Sequence, residues 1–225
     1  MSNRYEQTDF SQIPLANRVE PDSKPCYEFC KRLFDIVVSF LGMIILSPVF
    51  LVTAAVILFS DWGNPFYVST RVTKDGKEFR MYKFRSMVKN ADKLQKELEI
   101  HNEMKDGPAF KMTNDPRVTA VGRFIRKTSI DELPQLLNVF LGDMTLVGPR
   151  PPIPSEVERY TPYHMQRLGV KQGLTCYWQC SGRNDIGFDE WVELDLKYIR
   201  ERSFVTDIKI LFKTVGAVFS MRGAK

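Results

Sequence analysis

The sequence predicts a mostly helical α+β protein held at a membrane by one broken helix. Three observations carry that expectation. An apolar, charge-free run from Ile36 to Phe59 is interrupted at Ser47-Pro48, and Lys74-Asp75-Gly76 joins two short extended stretches. Much of the chain beyond that turn is patterned at the three- and four-residue spacing of amphipathic helices. At 225 residues there is room for one compact domain and an attachment, not for several large domains. A net charge of +5 and a pI near 9.0 point to an anionic partner, although charge alone does not choose among nucleic acid, lipid headgroups and a nucleotide.

Residues 1–30 are largely polar and mixed in charge, carry Pro14, Pro21 and Pro25, and read as a flexible or loosely docked arm. Residues 31–60 hold the membrane segment. Its charge-free part, about 24 residues long, would reach roughly 36 Å as a helix, enough for a hydrocarbon core of about 30 Å. A cleaved signal peptide is not expected, because the run starts far from Met1 and is too long for a signal core. Pro48 removes a helix hydrogen bond and crowds the carbonyl of Ile44, while the Ser47 hydroxyl can bond a carbonyl of the preceding turn. Lys24, Lys31 and Arg32 precede the run and Arg71, Lys74, Lys77 and Arg80 follow it, so the charges show no inside–outside asymmetry. A helix that enters, turns at Ser47-Pro48 and leaves on the same face accommodates both clusters; a kinked spanning helix is the alternative. Asp35 is expected to pair with Arg32 or Lys31 near the headgroups.

Residues 61–225 form the remaining domain. Pro65–Thr73 and Lys77–Phe84 read as a hairpin around the Asp-Gly turn. On its second strand Lys83 and Arg85 share one face, which on its own reads equally as a solvated edge. Val88–Met104 is expected to be a charged helix that packs through Met87, Ala91, Leu94 and Leu98, with His101 on the surface, and Asp106–Asp115 to be a loop.

A helix is expected over Glu132–Leu141, with Leu133, Leu136, Leu137 and Phe140 on one face and Pro134 in its first turn. That puts Asp131 at or next to the N-cap, ionised and facing free backbone donors. Phosphate is drawn to the same place, and Arg123, Arg126, Lys127 and Arg150 lie close by in sequence. The pattern suggests phosphoryl transfer to or from Asp131, though on spacing alone an Asp-Glu pair before a helix is usually just an N-cap and a solvated neighbour. Ser155–Leu168 reads as one amphipathic helix carrying His164 as a packed or surface group. Phe188–Arg200 reads as a second helix, and Phe204–Met221, apolar but with Asp207, Lys209 and Lys213 inside it, as a helix lying on a bilayer. Two Cys-x3-Cys pairs, Cys26/Cys30 and Cys176/Cys180, admit a zinc reading, but reduced thiols are expected.

The stretch TNDPRVTAVGRFIRKTSIDELPQLLNVFLGDMTLVGPRPP, Thr113–Pro152, strongly resembles the signature of the bacterial sugar transferases, small monotopic phosphoglycosyl transferases that begin glycan assembly on polyprenol phosphate. YKFRSM, Tyr82–Met87, and QGLTCYWQCSGR, Gln172–Arg183, extend the resemblance, which runs from about Lys31 to the C-terminus. In the second of these, Gln172, Cys176 and Cys180 depart from the family's proline, glycine and valine.

The resemblance implies a re-entrant helix broken at Ser47-Pro48 and a compact catalytic domain with interfacial helices, monotopic on the cytoplasmic face of a bacterial inner membrane. It implies transfer of a sugar 1-phosphate from a nucleoside diphosphate sugar, expected to be a UDP-sugar, to undecaprenyl phosphate. Asp131 would attack the sugar-linked phosphorus and release UMP, with Glu132 assisting as an Mg²⁺ ligand or as an acid/base group. Arg126 and Arg150 are the expected phosphate clamps, Lys83, Arg85 and Arg183 further phosphate contacts, and Gln179 a contact to nucleobase or sugar. Asp131 and Glu132 are the expected Mg²⁺ ligands. No nucleic-acid partner is expected, and a homo-oligomer stays open. Two other classes also stay open. A membrane-anchored glycosyl transferase would release UDP, but the chain lacks an Asp-x-Asp motif; a non-catalytic, basic membrane-tethered module would not need Asp131.

Overall fold

The computed structural model describes residues 11, 13–98, 100, 102–103, 107–110, 112, 114–180 and 186–220. Helix α1, Pro25–Ile45, and helix α2, Ser47–Asp61, are bent by 59° at the expected break. Pro48 falls in the first turn of α2, where its missing N–H leaves no partner wanting, and the Ser47 hydroxyl donates to the Ile44 carbonyl at 2.8 Å. The bend therefore leaves that carbonyl satisfied. Among the described residues no single helix is long and apolar enough to cross a membrane; α1 and α2 meet that test only as a bent pair. Ile44, Ile45, Leu51 and Val52, on both sides of the break, are exposed.

The first half of α1 is sewn to the rest of the fold by polar groups. Arg32 donates to the carbonyls of Val139 and Phe140 at 2.7 and 2.8 Å, and Lys31 pairs with Asp207 at 2.6 Å. Asp35 departs from the expected headgroup ion pair. It is buried and accepts from the Thr145 hydroxyl at 2.6 Å and the Leu146 amide at 3.0 Å, because the helix docks on the protein at that level. Within the stretch read as an arm, Ile13 and Val19 are docked: both are buried, and the Val19 amide donates to Gln166 Oε1 at 2.6 Å.

Strands β1, Phe66–Val72, and β2, Glu78–Phe84, form the expected antiparallel hairpin, with Phe66 opposite Phe84 and Val72 opposite Glu78. Asp75 (φ +57°) and Gly76 (φ +75°) supply the left-handed turn. Helix α3, Ala91–Leu98, is shorter than Val88–Met104, and Leu94 is exposed rather than packed. His101 lies outside the described residues. Helix α4, Ala120–Lys127, is capped by the Thr119 hydroxyl, which accepts from the Gly122 amide at 2.9 Å. A Cβ at Gly122 would run into the Ser86 carbonyl, so glycine lets α4 approach the end of β2.

Asp131 sits in a short 3-10 turn, Ile130–Glu132, and helix α5, Gln135–Leu141, begins only after Pro134. The expected helix start and the capping role of Asp131 are therefore both corrected; no side chain caps α5. The inner face of α5 also differs from the apolar one expected: Gln135, Leu136, Asn138 and Val139 are buried, whereas Leu137 is 39% exposed. Asn138 is inside because it bridges α5 to the hairpin, accepting from the Tyr82 amide at 3.0 Å and donating to the Arg80 carbonyl at 2.7 Å.

Strands β3, Thr145–Val147, and β4, Gly173–Thr175, form a short parallel pair. Between them, the single helix expected over Ser155–Leu168 is instead α6, Pro154–Val157, and α7, Pro162–Met165, followed by a 3-10 turn, because the chain restarts at Pro162. Helices α8, Tyr177–Cys180, α9, Phe188–Glu201, and α10, Phe204–Ser220, complete the chain. The main core gathers Val139, Met144, Leu146, Val192, Leu196 and Ile210. All four cysteines are free thiols.

Candidate active site

The local fold brings three basic segments to one place. Lys83, near the end of β2, and Arg85, the residue just past it, both line the same cavity, as the two-residue period of extended chain allows. Beyond it, Val88 donates to the Arg117 carbonyl at 2.9 Å and Thr119 to the Ser86 carbonyl at 3.1 Å, which lays Ser86 against the start of α4. Arg126, on the last turn of α4, donates to the Ser86 hydroxyl at 2.9 Å. The chain then turns through Ser129, a non-glycine residue at φ +56°, and delivers Asp131. Arg150 arrives from the turn after β3.

These segments line a cavity of about 780 Å³ whose wall includes Asp131, Lys83, Arg85, Arg126 and Arg150. Arg71, Lys89, Arg117 and Arg159 line it too, against only Asp131, Glu156 and Glu158 as acids. Asp131 is 7% exposed. Burial pushes its carboxyl up to about 6; Lys83 opposes the rise, neighbouring Glu132 adds to it, and Arg126 and Arg150 oppose it. The carboxylate expected to be plainly ionised is thus mostly ionised at neutral pH and titrates nearby. Burial lowers the Lys83 ammonium from its ordinary range, with Glu132 acting against that. Burial, and then Arg150, bring Arg71 down to about 10, still a cation at neutral pH.

Glu132 stands behind the cavity wall and organises it. Its Oε1 accepts from Lys83 Nζ at 2.8 Å and from Arg150 Nη1 at 3.2 Å, so one carboxylate spaces two cations. Arg150 also lies over the Trp178 ring, 5.7 Å from its centroid. Trp178 stacks in turn on Trp191 at 4.5 Å. The structure thus gathers Asp131, Glu132, Lys83, Arg85, Arg126 and Arg150. Gln179 is buried and outside the cavity lining, with its Nε2 directed to the Leu174 carbonyl, and Arg183 lies outside the described residues.

Arg71, Arg117 and Arg159 were not singled out as site residues from the sequence. Arg71 does alternate with Ser69 and Tyr67, all on the cavity side of β1, and that period was readable. Arg159 arrives from the turn after α6, and its hydrogen bond to the Pro108 carbonyl is one that no local pattern announces.

Among the described residues no three His, Cys, Asp or Glu side chains converge to hold a metal by themselves. Mg²⁺ asks for less, since one or two carboxylates suffice when substrate phosphates and water supply the other oxygens. Asp131, on the cavity wall, fits that donor set; Glu132 is adjacent in sequence, with its Oε1 held by Lys83 and Arg150.

The family model described as bacterial sugar transferase matches residues 26–221. The galactosyl transferase CpsE of Streptococcus agalactiae serotype III is 47% identical over 198 residues, 87% of this chain and 43% of that protein. The undecaprenyl-phosphate galactose phosphotransferase of Salmonella typhimurium is 47% identical over 222 residues, 96% of this chain and 46% of its own length. The exopolysaccharide production protein ExoY of Sinorhizobium fredii is 40% identical over 209 residues, 89% of this chain and 90% of its own. The chain thus spans about half the length of the first two relatives and most of the third.

Proposed function

The chain belongs to the bacterial sugar transferase family, and from that premise we propose that it transfers a sugar 1-phosphate from a UDP-sugar to undecaprenyl phosphate, the first step of an exopolysaccharide, capsule, O-antigen or glycoprotein glycan. The observation that carries the proposal is the buried Asp131 carboxylate, set in a cavity whose wall carries eight Lys and Arg side chains against three acids. An anionic nucleophile among cations suits attack on a phosphorus whose oxygens those cations hold.

In the first step an Asp131 carboxylate oxygen bonds to the sugar-linked phosphorus. The bond from that phosphorus to the bridging oxygen breaks, and its electron pair leaves with UMP. In the second, a phosphate oxygen of undecaprenyl phosphate bonds to the same phosphorus and the acyl-phosphate bond to Asp131 breaks, which restores the carboxylate. Arg126 and Arg150 hold phosphate oxygens in place, and Lys83, fixed by Glu132, adds positive charge beside the attacking oxygen. Mg²⁺ held by Asp131 and Glu132 would neutralise diphosphate charge as the carboxylate approaches.

The membrane placement belongs to the same proposal. We place residues 31–60 as a re-entrant segment and residues 61–225 as a catalytic domain on the cytoplasmic face of the inner membrane. The 59° bend, the Ser47–Ile44 hydrogen bond and the exposed Phe204, Val205, Phe212 and Val215 of α10 support a chain that lies in one leaflet and on its surface. Nucleotide release from solubilised protein with Mg²⁺, undecaprenyl phosphate and a panel of UDP-sugars tests the reading, with UDP-galactose first because of the relatives' names. UMP from the wild type and none from Asp131→Asn is expected. UDP as the released nucleotide would point to glycosyl transfer, and equal UMP from both proteins would remove Asp131 as nucleophile.

A further inference from the structure

Arg85 is held from outside the cavity that it lines. Its Nη2 lies 2.5 Å from Oδ1 of Asp61, the last residue of α2, and that same oxygen accepts from the Gly63 amide at 3.1 Å. Lys89, also on the cavity wall, donates to the Asp61 main-chain carbonyl at 2.9 Å. A Cβ on Gly63 would stand 2.6 Å from Arg85 Nη1 and from Lys89 Cε, so both cations cross the space that the glycine leaves open. Asp61 thus occupies one end of the Arg85 guanidinium, while Arg85 Nε is buried with no hydrogen-bond partner among the described residues. A buried, charged donor without an acceptor is costly unless something else supplies one.

We infer that Asp61 is a positioning residue: together with Gly63 it fixes Arg85 so that the guanidinium meets an anionic oxygen of the cavity's ligand, and it thereby ties the end of the apolar helix pair to the reaction site. The inference rests on the proposed reading of the cavity as a site for phosphorylated substrate. The ligand class is a phosphate or diphosphate group. Asp61 touches no substrate itself. Its part is to restrain a long side chain that would otherwise sample several rotamers, which lowers the ordering cost when the anion binds.

The test uses the full chain in detergent and two independent readouts. Isothermal titration with inorganic pyrophosphate measures anion binding directly, and steady-state UMP release measures KM for the UDP-sugar and kcat separately. Asp61→Asn weakens the pull on Arg85. Gly63→Ala displaces only the ends of two flexible side chains, so thermal melting should confirm that both variants fold. Each variant is expected to weaken pyrophosphate and raise the nucleotide KM by about tenfold with kcat within about twofold, the size of one charge-assisted hydrogen bond. The Asp61→Asn/Arg85→Ala double variant should be no worse than Arg85→Ala alone. Unchanged pyrophosphate affinity in folded Asp61→Asn, fully additive losses in the double variant, or no pyrophosphate binding by the wild type would each overturn the inference. Weakened pyrophosphate binding in the variants of a protein that releases no UMP would support the positioning role while the proposed transfer reaction fails.

Discussion

At the scale of single residues, Asp131 is where the proposed function and stability pull apart. Its folded-state pKa of about 6 lies above the ordinary 3.8, so the fold favours its neutral form. Burying the ionised form is therefore a cost that is absent at low pH, grows as pH rises past about 4 and is complete once pH has passed the folded value. Asp131→Asn removes that cost. It should raise the melting temperature by a few degrees at pH 8, on the order of 2 kcal/mol, with the gain shrinking toward pH 4. A melting difference independent of pH would count against the buried-carboxylate reading. The wild type's kcat/KM should fall as pH drops through about 6, because only the carboxylate can attack phosphorus. Most of the site's residues were readable from wording alone: Asp131, Arg126 and Arg150 belong to one matched stretch, and Lys83 and Arg85 to another. Glu132 was harder, because its role as the spacer of Lys83 and Arg150 depends on a strand 49 residues away. Gln179 is the opposite case, a polar residue in a matched motif that is buried and outside the cavity lining.

At the scale of elements, the break in the apolar run was plain because proline's geometry acts locally, and α1 and α2 part at Leu46 as Ser47-Pro48 requires. The inner face of α5 was not plain. Gln135 and Asn138 look like surface residues until the hairpin and its carbonyl partners are in place. The β3/β4 pair is hidden because three residues are too few to show a period, and Pro162 splits α6 from α7 within an apolar spacing that otherwise runs on as one helix. A topology experiment belongs at this scale. Cys26 and Cys30 are exposed thiols at the start of α1, ahead of the break in the bent pair, while Cys176 is buried. In a Lys77→Cys variant, a membrane-impermeant maleimide should label Cys26, Cys30 and position 77 from one and the same side, the side exposed in inside-out vesicles. Labelling of position 77 and the α1 thiols from opposite sides would establish a spanning helix instead.

On the scale of the whole molecule, the positive charge counted in the sequence is concentrated where the hairpin, α4 and the turn after β3 meet. Composition announced an anionic partner without locating it. Location came from long-range pairing: Asn138 docks the hairpin on α5, Gly122 brings α4 against Ser86, and Glu132 closes the circuit to Arg150. Arg32, Asp35 and Lys31 bind the first half of α1 to the same body, so the apolar pair and the cavity move as neighbours rather than as bead and tether. On the proposed function, such an assembly would let a soluble nucleotide sugar and a membrane-bound phosphate use one nucleophile in turn. Intact-protein mass spectrometry tests that central claim most directly: the protein is mixed with Mg²⁺ and the UDP-sugar that supports turnover, and undecaprenyl phosphate is withheld. A gain of one sugar phosphate on the wild type, matched by released UMP, absent from Asp131→Asn and discharged when undecaprenyl phosphate is added, is the expected result. Wild-type protein that stays unmodified throughout active turnover, or an adduct that survives in Asp131→Asn, would contradict it.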